Sequence, residues 1–420
     1  MPVAAAPGTS FAAAFASPPV AVTLMRIALV TETYPPEING VAAGVARTVT
    51  YLRERGHEVR LLRPRQDGEE PGDGADSRTN GGITTAGSEW RSQGWPIPMY
   101  RALRFGAARP ATLAAQFRAW HPHVVHIATE GPLGWAAVAA ARRLGLATSS
   151  DFRTNFHQYS GYYHCGWLAP AIERYLRGFH NRTERCFVPT RQLRRQLLAC
   201  GYDRVEVVGR GVDLDLYAPA RRDEALREQW NALGAPVLLY VGRLAPEKNI
   251  ELALRAFRMV RRFVPRAHMV VVGDGPLRAS LARRYPEARF VGTQTGAALA
   301  AHYASADVFL FPSLTDTFGN VTLEALASGL PVVAFDCAAA SEYVADRLNG
   351  RLVAPGDESG FIRSACLLAC RFGALGTMRR AARQAALRAD WAGALRGFEQ
   401  QLYETVHAHQ FADTALARTA

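Results

Sequence analysis

Early in this chain a strand, a glycine-bearing loop, a helix and a second strand follow one another without a break, and that succession restricts the fold more than any other feature. Residues 26–31 carry the apolar run Ile27, Ala28, Leu29 and Val30, the loop over 34–40 contains proline and glycine, and an amphipathic helix spans about 41–55. Gly56 stops that helix, and a second apolar strand starts at 58. Such βαβ units build parallel sheets, and ligands lie beyond the carboxyl ends of the strands. Further strands are predicted at 123–128 and 147–151, with a helix at 133–144 between them. Residues 66–94 are polar and glycine-rich and read as a long excursion between strands, of a length that usually serves function.

A second series of short apolar strands runs through 205–208, 237–241, 267–272, 289–291, 308–311 and 331–334, separated by helical stretches such as 250–263. Near the end, Trp391, Leu395, Phe398, Leu402 and Val406 fall at helical spacing and predict a long amphipathic helix that packs on an apolar surface. At 420 residues there is material for two domains. The expected division is 25–203, 204–388, a helix over 389–410 and a tail over 411–420. Residues 1–24, rich in Ala, Pro and Ser with no basic segment ahead of the apolar part, read as a disordered leader rather than a secretory signal.

Hydrophobic residues make up 49% and charged residues 20%, which suits packed cores and excludes long-range disorder. No apolar stretch approaches the roughly 18 residues of a membrane-spanning helix. The six cysteines form no CxxC pair or metal-ligand spacing, and a reducing cytoplasm is expected; Cys366 and Cys370 read as small buried hydrophobes. The net charge of +12 favours anionic partners, but the arginines are dispersed in pairs and no nucleic-acid motif accompanies them. Among 49 basic residues there is a single lysine, Lys248. An ammonium is a compact point charge where a guanidinium is a planar fork, so chemistry at that site can explain the exception.

The stretch 312–333, PSLTDTFGNVTLEALASGLPVV, places Asp316 in a loop and Glu324 on a helix beginning near Gly319, with seven residues between the two carboxylates. A helix N-terminus offers free N–H groups and a positive dipole end, and a side chain one turn in leans back toward that end. Two carboxylates can then converge on one polyhydroxylated ligand. Upstream, the 237–241 strand runs into GRLAPEKN, which presents Gly242, Arg243 and Lys248 as a helix begins. Two cations at a helix N-terminus form a diphosphate site. A third loop, VVVGDGPL with Gly273, lets a flat ring approach the backbone. His121, His123 and His126 resemble a metal cluster only in spacing, and the DxD string at 213–215 reads as a turn.

With these elements in this order, residues of about 25 to 410 resemble the retaining nucleotide-sugar glycosyltransferases of family 4, which have the two-domain GT-B fold. The residues that carry the likeness are the acidic-x7-Glu pair Asp316 and Glu324, GRLxxEK with Arg243 and Lys248, VGDGP, and GRGVD at 209–213. The resemblance implies two Rossmann-like parallel-sheet domains facing across a cleft, acceptor side first and donor side second, with the last helix crossing back onto the amino-terminal domain. It implies that Arg243 and Lys248 hold the diphosphate, Glu324 the ribose hydroxyls, and Asp316 with Thr317, Phe318 and Gly319 the donor sugar. Gly40 would let the first domain approach the same diphosphate. TDTFGNV looks like the mannosyl- and sulfoquinovosyl-type lipid transferases, and where the family has His-Thr this chain has Arg153, with His157 four residues on.

The implied reaction is transfer of a hexose with retention, mannose from GDP-mannose in first place and a UDP-sugar as the alternative, to a lipid or glycan acceptor. No cofactor or metal is required, because Arg243 and Lys248 neutralise the leaving diphosphate. Arg243, Lys248, Asp316 and Arg153 are the catalytic candidates, with Arg153 placed to bind an acceptor or the sugar or His157 standing in for the family's histidine; Glu130 and His157 are the acceptor-side candidates, and Glu130 could instead cap the helix that follows it. Peripheral contact with the inner face of an anionic membrane is the expected location, with no nucleic acid involved. Two other classes remain: a catalytically silent nucleotide-sugar-binding protein, and a dehydrogenase, which the lack of a GxGxxG at the first helix disfavours.

Overall fold

The computed structural model describes residues 24–37, 39–66, 69, 81–83, 88–97, 100–153 and 169–419. The expected leader over 1–24 lies outside them apart from Leu24, as does His157. The first sheet contains β1 (Arg26–Val30), β2 (Glu58–Pro64), β3 (Gly81–Ile83), β4 (Glu89–Ile97), β5 (Tyr100–Ala107), β6 (Val124–Ile127), β7 (Ala147–Asp151), β8 (Arg185–Val188) and β9 (Val205–Val207). Its order is β3-β4-β2-β1-β6-β7-β8-β9, with β5 on β4, and β3 and β5 are the antiparallel members. Its helices are α1 (Gly40–Glu54), α2 (Pro110–Trp120), α3 (Pro132–Arg143), α4 (Ala169–His180) and α5 (Arg191–Ala199).

The second sheet contains β10 (Val237–Val241), β11 (His268–Val272), β12 (Arg289–Gly292), β13 (Val308–Phe311), β14 (Val332–Phe335) and β15 (Gly350–Val353). Around it lie α6 (Glu224–Gln229), α7 (Ile250–Phe263), α8 (Arg278–Arg284), α9 (Gly296–Ser305), α10 (Asn320–Ala327), α11 (Ala338–Tyr343), α12 (Glu358–Cys370) and α13 (Gly376–Ala386). The order β12-β11-β10-β13-β14-β15 is that of a dinucleotide-binding sheet. Helices cover both faces, so β10 is buried along its whole length. Val237, Leu239 and Val241 enter one core, Leu238 and Tyr240 the other.

The last helix, α14 (Trp391–Thr419), starts beside the second sheet, where Asp390 bridges Val212, and ends on the first. Its Phe398 and Leu402 are buried with Ile27 and Leu29, and Glu399 takes hydrogen bonds from Tyr51 Oη at 2.7 Å and His57 Nε2 at 3.0 Å. The expected crossing helix is therefore present, and it runs through the segment expected as a tail.

Three expectations change. The strand near 205 was assigned to the second sheet, but β9 pairs with β8 in the first, so the chain leaves the first sheet after Val207 rather than at 204. A three-residue apolar strand carries no mark of the sheet edge it will join. The excursion over 66–94 contains β3 and most of β4; polar edge strands lack the apolar run that identifies central ones, although Trp90 is buried. The sequence reading also has no strand at β5, β8 or β15: β8 and β15 are only four residues long, and β5 pairs on one side alone, with β4.

Candidate active site

In an open parallel sheet, loops diverge where the strand order reverses, and a crevice opens at the carboxyl ends there. In the second sheet that point lies between β10 and β13, so the loops over 242–249 and 312–319 leave adjacent strands. Two polar contacts clasp them: Thr315 Oγ1 donates to the Glu247 carbonyl at 3.0 Å, and Asn249 Nδ2 donates to the Pro312 carbonyl at 3.3 Å. Between the loops, Lys248 Nζ meets Asp316 Oδ1 at 2.5 Å. The other carboxylate oxygen, Oδ2, is buried with no hydrogen-bond partner among the described residues. Glu247, also buried, pairs with Arg243 at 3.5 Å and steadies that guanidinium. Gly273 has φ 131°, and a Cβ there would lie 2.0 Å from the Gly242 carbonyl oxygen, so only glycine permits this approach of the two loops.

Gly319, with φ 79°, turns the chain from the Asp316 loop into α10, whose N-terminus carries no side-chain cap. Phe318 anchors that turn in the core. One turn along, Glu324 Oε2 accepts from Tyr303 Oη at 2.9 Å. Burial pushes the Glu324 carboxyl up to about 7, and Tyr303 draws it back only partly. Tyr303 stood in an unremarkable stretch of α9 and was not singled out. Its hydroxyl, five residues ahead of β13, is visible as a partner only once the sheet is built.

Across from this edge, α1 begins at Gly40, with Asn39 Oδ1 accepting from Ala42 N at 2.8 Å. A Cβ on Gly40 would lie 3.4 Å from Asn320 Nδ2, the first residue of α10. The N-termini of α1 and α10 therefore meet, one from each sheet, and both present positive dipole ends and N–H groups to the same place.

The first sheet reverses between β1 and β6, and its carboxyl edge holds Glu32, Glu130, Asp151 and Arg153. Arg153 Nε donates to Asp151 Oδ2 at 2.7 Å and Arg153 Nη2 also touches that oxygen, while His126 Nε2 stands 3.6 Å from it. Burial opposes the charge of Asp151, but Arg153, His126 and Arg210 together hold it well below the usual carboxylate range. Arg210, from the GRGVD segment, is pushed down to about 9 by burial and by Arg153. Arg153 Nη1 and Arg210 Nη1 lie 3.3 and 3.8 Å from a Cβ placed on Gly44, one turn into α1. Arg210 had no role assigned from the sequence; only the return of the chain after β9 brings it beside Arg153.

Glu130 is buried, and burial pushes it up to about 8 although Arg153 counteracts; its Oε1 has no partner among the described residues. It does not cap α3. That cap comes from Glu32, whose Oε1 accepts from Leu133 N at 2.9 Å and whose carboxyl burial raises to about 7. The three histidines do not converge: His123 Nδ1 accepts from Arg26 N and His126 contacts Ser149 and Asp151. Asp213 serves a turn and pairs with Arg47.

Residues 38–216 match the family Glycosyltransferase Family 4, and residues 235–370 match Glycosyl transferases group 1. A GDP-mannose-dependent alpha-mannosyltransferase of Mycolicibacterium smegmatis is 37% identical over 80% of this chain and 86% of its own length. A sulfoquinovosyl transferase of Arabidopsis thaliana is 27% identical over 90% of this chain and 73% of its own. Among solved structures, a sucrose-phosphate synthase from Thermosynechococcus elongatus superposes with a TM-score of 0.69 at 19% identity, over 91% of this chain and 99% of that one, which places the fold in the GT-B class. The two sheets, their opposed carboxyl edges and these likenesses agree that the chain belongs to the family 4 glycosyltransferases.

Proposed function

We propose that this glycosyltransferase moves mannose from GDP-mannose, with retention of configuration, to a lipid or glycan acceptor bound on the first sheet's side. The observation that carries the reading is the meeting of the α1 and α10 N-termini beside the Lys248–Asp316 pair. Lys248, Arg243 and the two dipole ends stabilise the departing diphosphate, which competes with Asp316 for the Lys248 ammonium. Asp316 Oδ2, buried and unpartnered among the described residues, accepts a sugar hydroxyl, together with the backbone of Thr317, Phe318 and Gly319. Glu324 accepts the ribose hydroxyls, Gly242 and Gly273 allow the nucleotide close to the backbone, and Gly40 closes on the diphosphate from the other sheet.

The acceptor hydroxyl enters on the face the diphosphate leaves, so no protein nucleophile is required. Arg153, Glu130 and His157 are assigned to the acceptor side, and the charge neutralisation is assigned to side chains and helix ends without a metal. The first-named relative uses GDP-mannose, which sets the choice of donor. No helix among the described residues is long and apolar enough to cross a membrane, and a lipid acceptor would be met at the inner membrane surface.

A thermal-shift panel of GDP- and UDP-sugars tests the reading, with Lys248→Ala beside the parent. GDP-mannose at a hundred times its Kd should stabilise the parent by about 2.7 kcal/mol and the variant far less. Stabilisation by UDP-sugars alone would replace the base, and equal stabilisation of parent and variant would remove Lys248 from the site.

A further inference from the structure

The two sheets meet at a second place besides the contact of α1 with α10. α5 follows β8 on the first sheet and α11 follows β14 on the second, and the starts of these helices lie against each other. Thr190 Oγ1 accepts from Leu193 N at 3.1 Å and caps α5, which leaves the N–H of Arg191 without a partner in its own helix. Glu342 supplies one from the other sheet: its Oε1 accepts from Arg191 N at 2.7 Å and its Oε2 from Arg191 Nε at 3.1 Å. A carboxylate placed there also meets the positive dipole end of α5. One residue on, the Gln192 amide lies along the β14–α11 turn as a neighbouring strand would. Its Nε2 donates to the Asp336 carbonyl at 3.3 Å and its Oε1 accepts from Ala338 N at 3.1 Å.

That turn is under strain. Ala338 has φ 51°, in the left-handed region that residues with a Cβ avoid, and its N–H is the one that Gln192 accepts. Such a conformation persists where its neighbours over-determine it, and here they come from both sheets. On its own sheet the turn is stitched to the loop after β13: Ala339 N donates to the Phe318 carbonyl at 2.8 Å, and Cys337 Sγ lies 3.6 Å from the Ser313 carbonyl oxygen. The Tyr343 ring, on α11, meets that of Phe318 edge-on with centroids 6.3 Å apart. Asn349 fixes the far end of α11, donating to the Tyr343 carbonyl at 2.9 Å and accepting from Ala345 N at 2.8 Å. α11 and the loop over 313–319 therefore form one unit, and α5 grips it from the first sheet.

We propose that Gln192 and Glu342 are positioning residues, a clasp that couples the closing of the two sheets to the shape of the donor-sugar loop. The inference rests on the donor reading above. α5 holds α11, α11 holds Phe318, and Phe318 sets the loop from Asp316 to Gly319 on which the sugar hydroxyls are received. Coupling is reciprocal, so donor bound on the second sheet tightens the clasp on α5, a helix to which no donor contact is assigned.

Hydrogen exchange of the full chain with and without GDP-mannose tests it, read by mass spectrometry over 190–197, 243–249 and 313–323. In the parent, donor should slow exchange about tenfold in all three segments. Gln192→Ala and Glu342→Ala, made singly so that a fold defect in one leaves the other to decide, should keep the protection at 243–249, lose it at 190–197 and reduce it at 313–323. Arg191→Ala should match the parent within about twofold, because its backbone N–H still reaches Glu342 and the guanidinium it loses is exposed. A contact that only stabilises the fold would speed exchange at 190–197 and leave the response to donor intact. That result in both variants would overturn the clasp, and so would a parent in which donor protects 243–249 but not 190–197. Absence of protection at 243–249 in the parent would overturn the donor reading, and the inference with it.

Discussion

At the reversal of the second sheet the charges are matched, Lys248 on Asp316 and Arg243 on Glu247, and two side-chain to backbone hydrogen bonds clasp the loops that carry them. At the reversal of the first sheet Asp151 faces Arg153 and Arg210, while Glu32 and Glu130 are buried with their carboxyls raised to about 7 and about 8. The same topology therefore serves two chemistries. One edge is preorganised around a cation–carboxylate pair that an incoming anion can exchange. The other stores ionisable groups whose charge depends on what arrives. Donor binding, with the pH dependence that Glu324 gives it, should be a property of the second edge, and the pH response of turnover at saturating donor a property of the first.

The largest expected effect separates the two edges by stability. Arg153→Ala leaves Asp151 buried without its main partner, which should cost about 3 kcal/mol and lower the first unfolding transition by several degrees in calorimetry. The variant should still be stabilised by GDP-mannose, because Lys248 and Asp316 sit on the other sheet. Loss of the donor shift together with normal stability would place Arg153 on the donor and blur the contrast.

A smaller effect concerns protons. Glu324, at about 7 when empty, accepts ribose hydroxyls better as a carboxylate, so bound donor favours the ionised form and affinity rises with pH. Calorimetric titration of GDP-mannose should show about tenfold tighter binding at pH 8 than at pH 6, and Glu324→Gln should flatten that profile. Glu130 lies on the opposite edge, so its titration should appear in turnover and leave the donor Kd unmoved.

Much of this layout was legible beforehand. The two series of short apolar strands, the loops after β10, β11 and β13, and the crossing helix were each marked by local pattern. Lys248, Asp316 and Gly319 could be named from charge and glycine at helix starts, and Gly40 only through the family resemblance. What stayed hidden is what depends on three dimensions. Arg210 and Tyr303 have no local signature, because each gains its meaning from a residue far away in the chain. β9 joined the sheet opposite to the one expected, since edge pairing is decided by where the chain returns.

The position of the diphosphate in a crystal of the complex with GDP tests the central claim most directly. It should lie in contact with the Lys248 ammonium and between the N-terminal turns of α1 and α10, with Gly40 and Gly319 on either side. A diphosphate bound away from both helix ends, with the Lys248–Asp316 pair intact, would contradict the account.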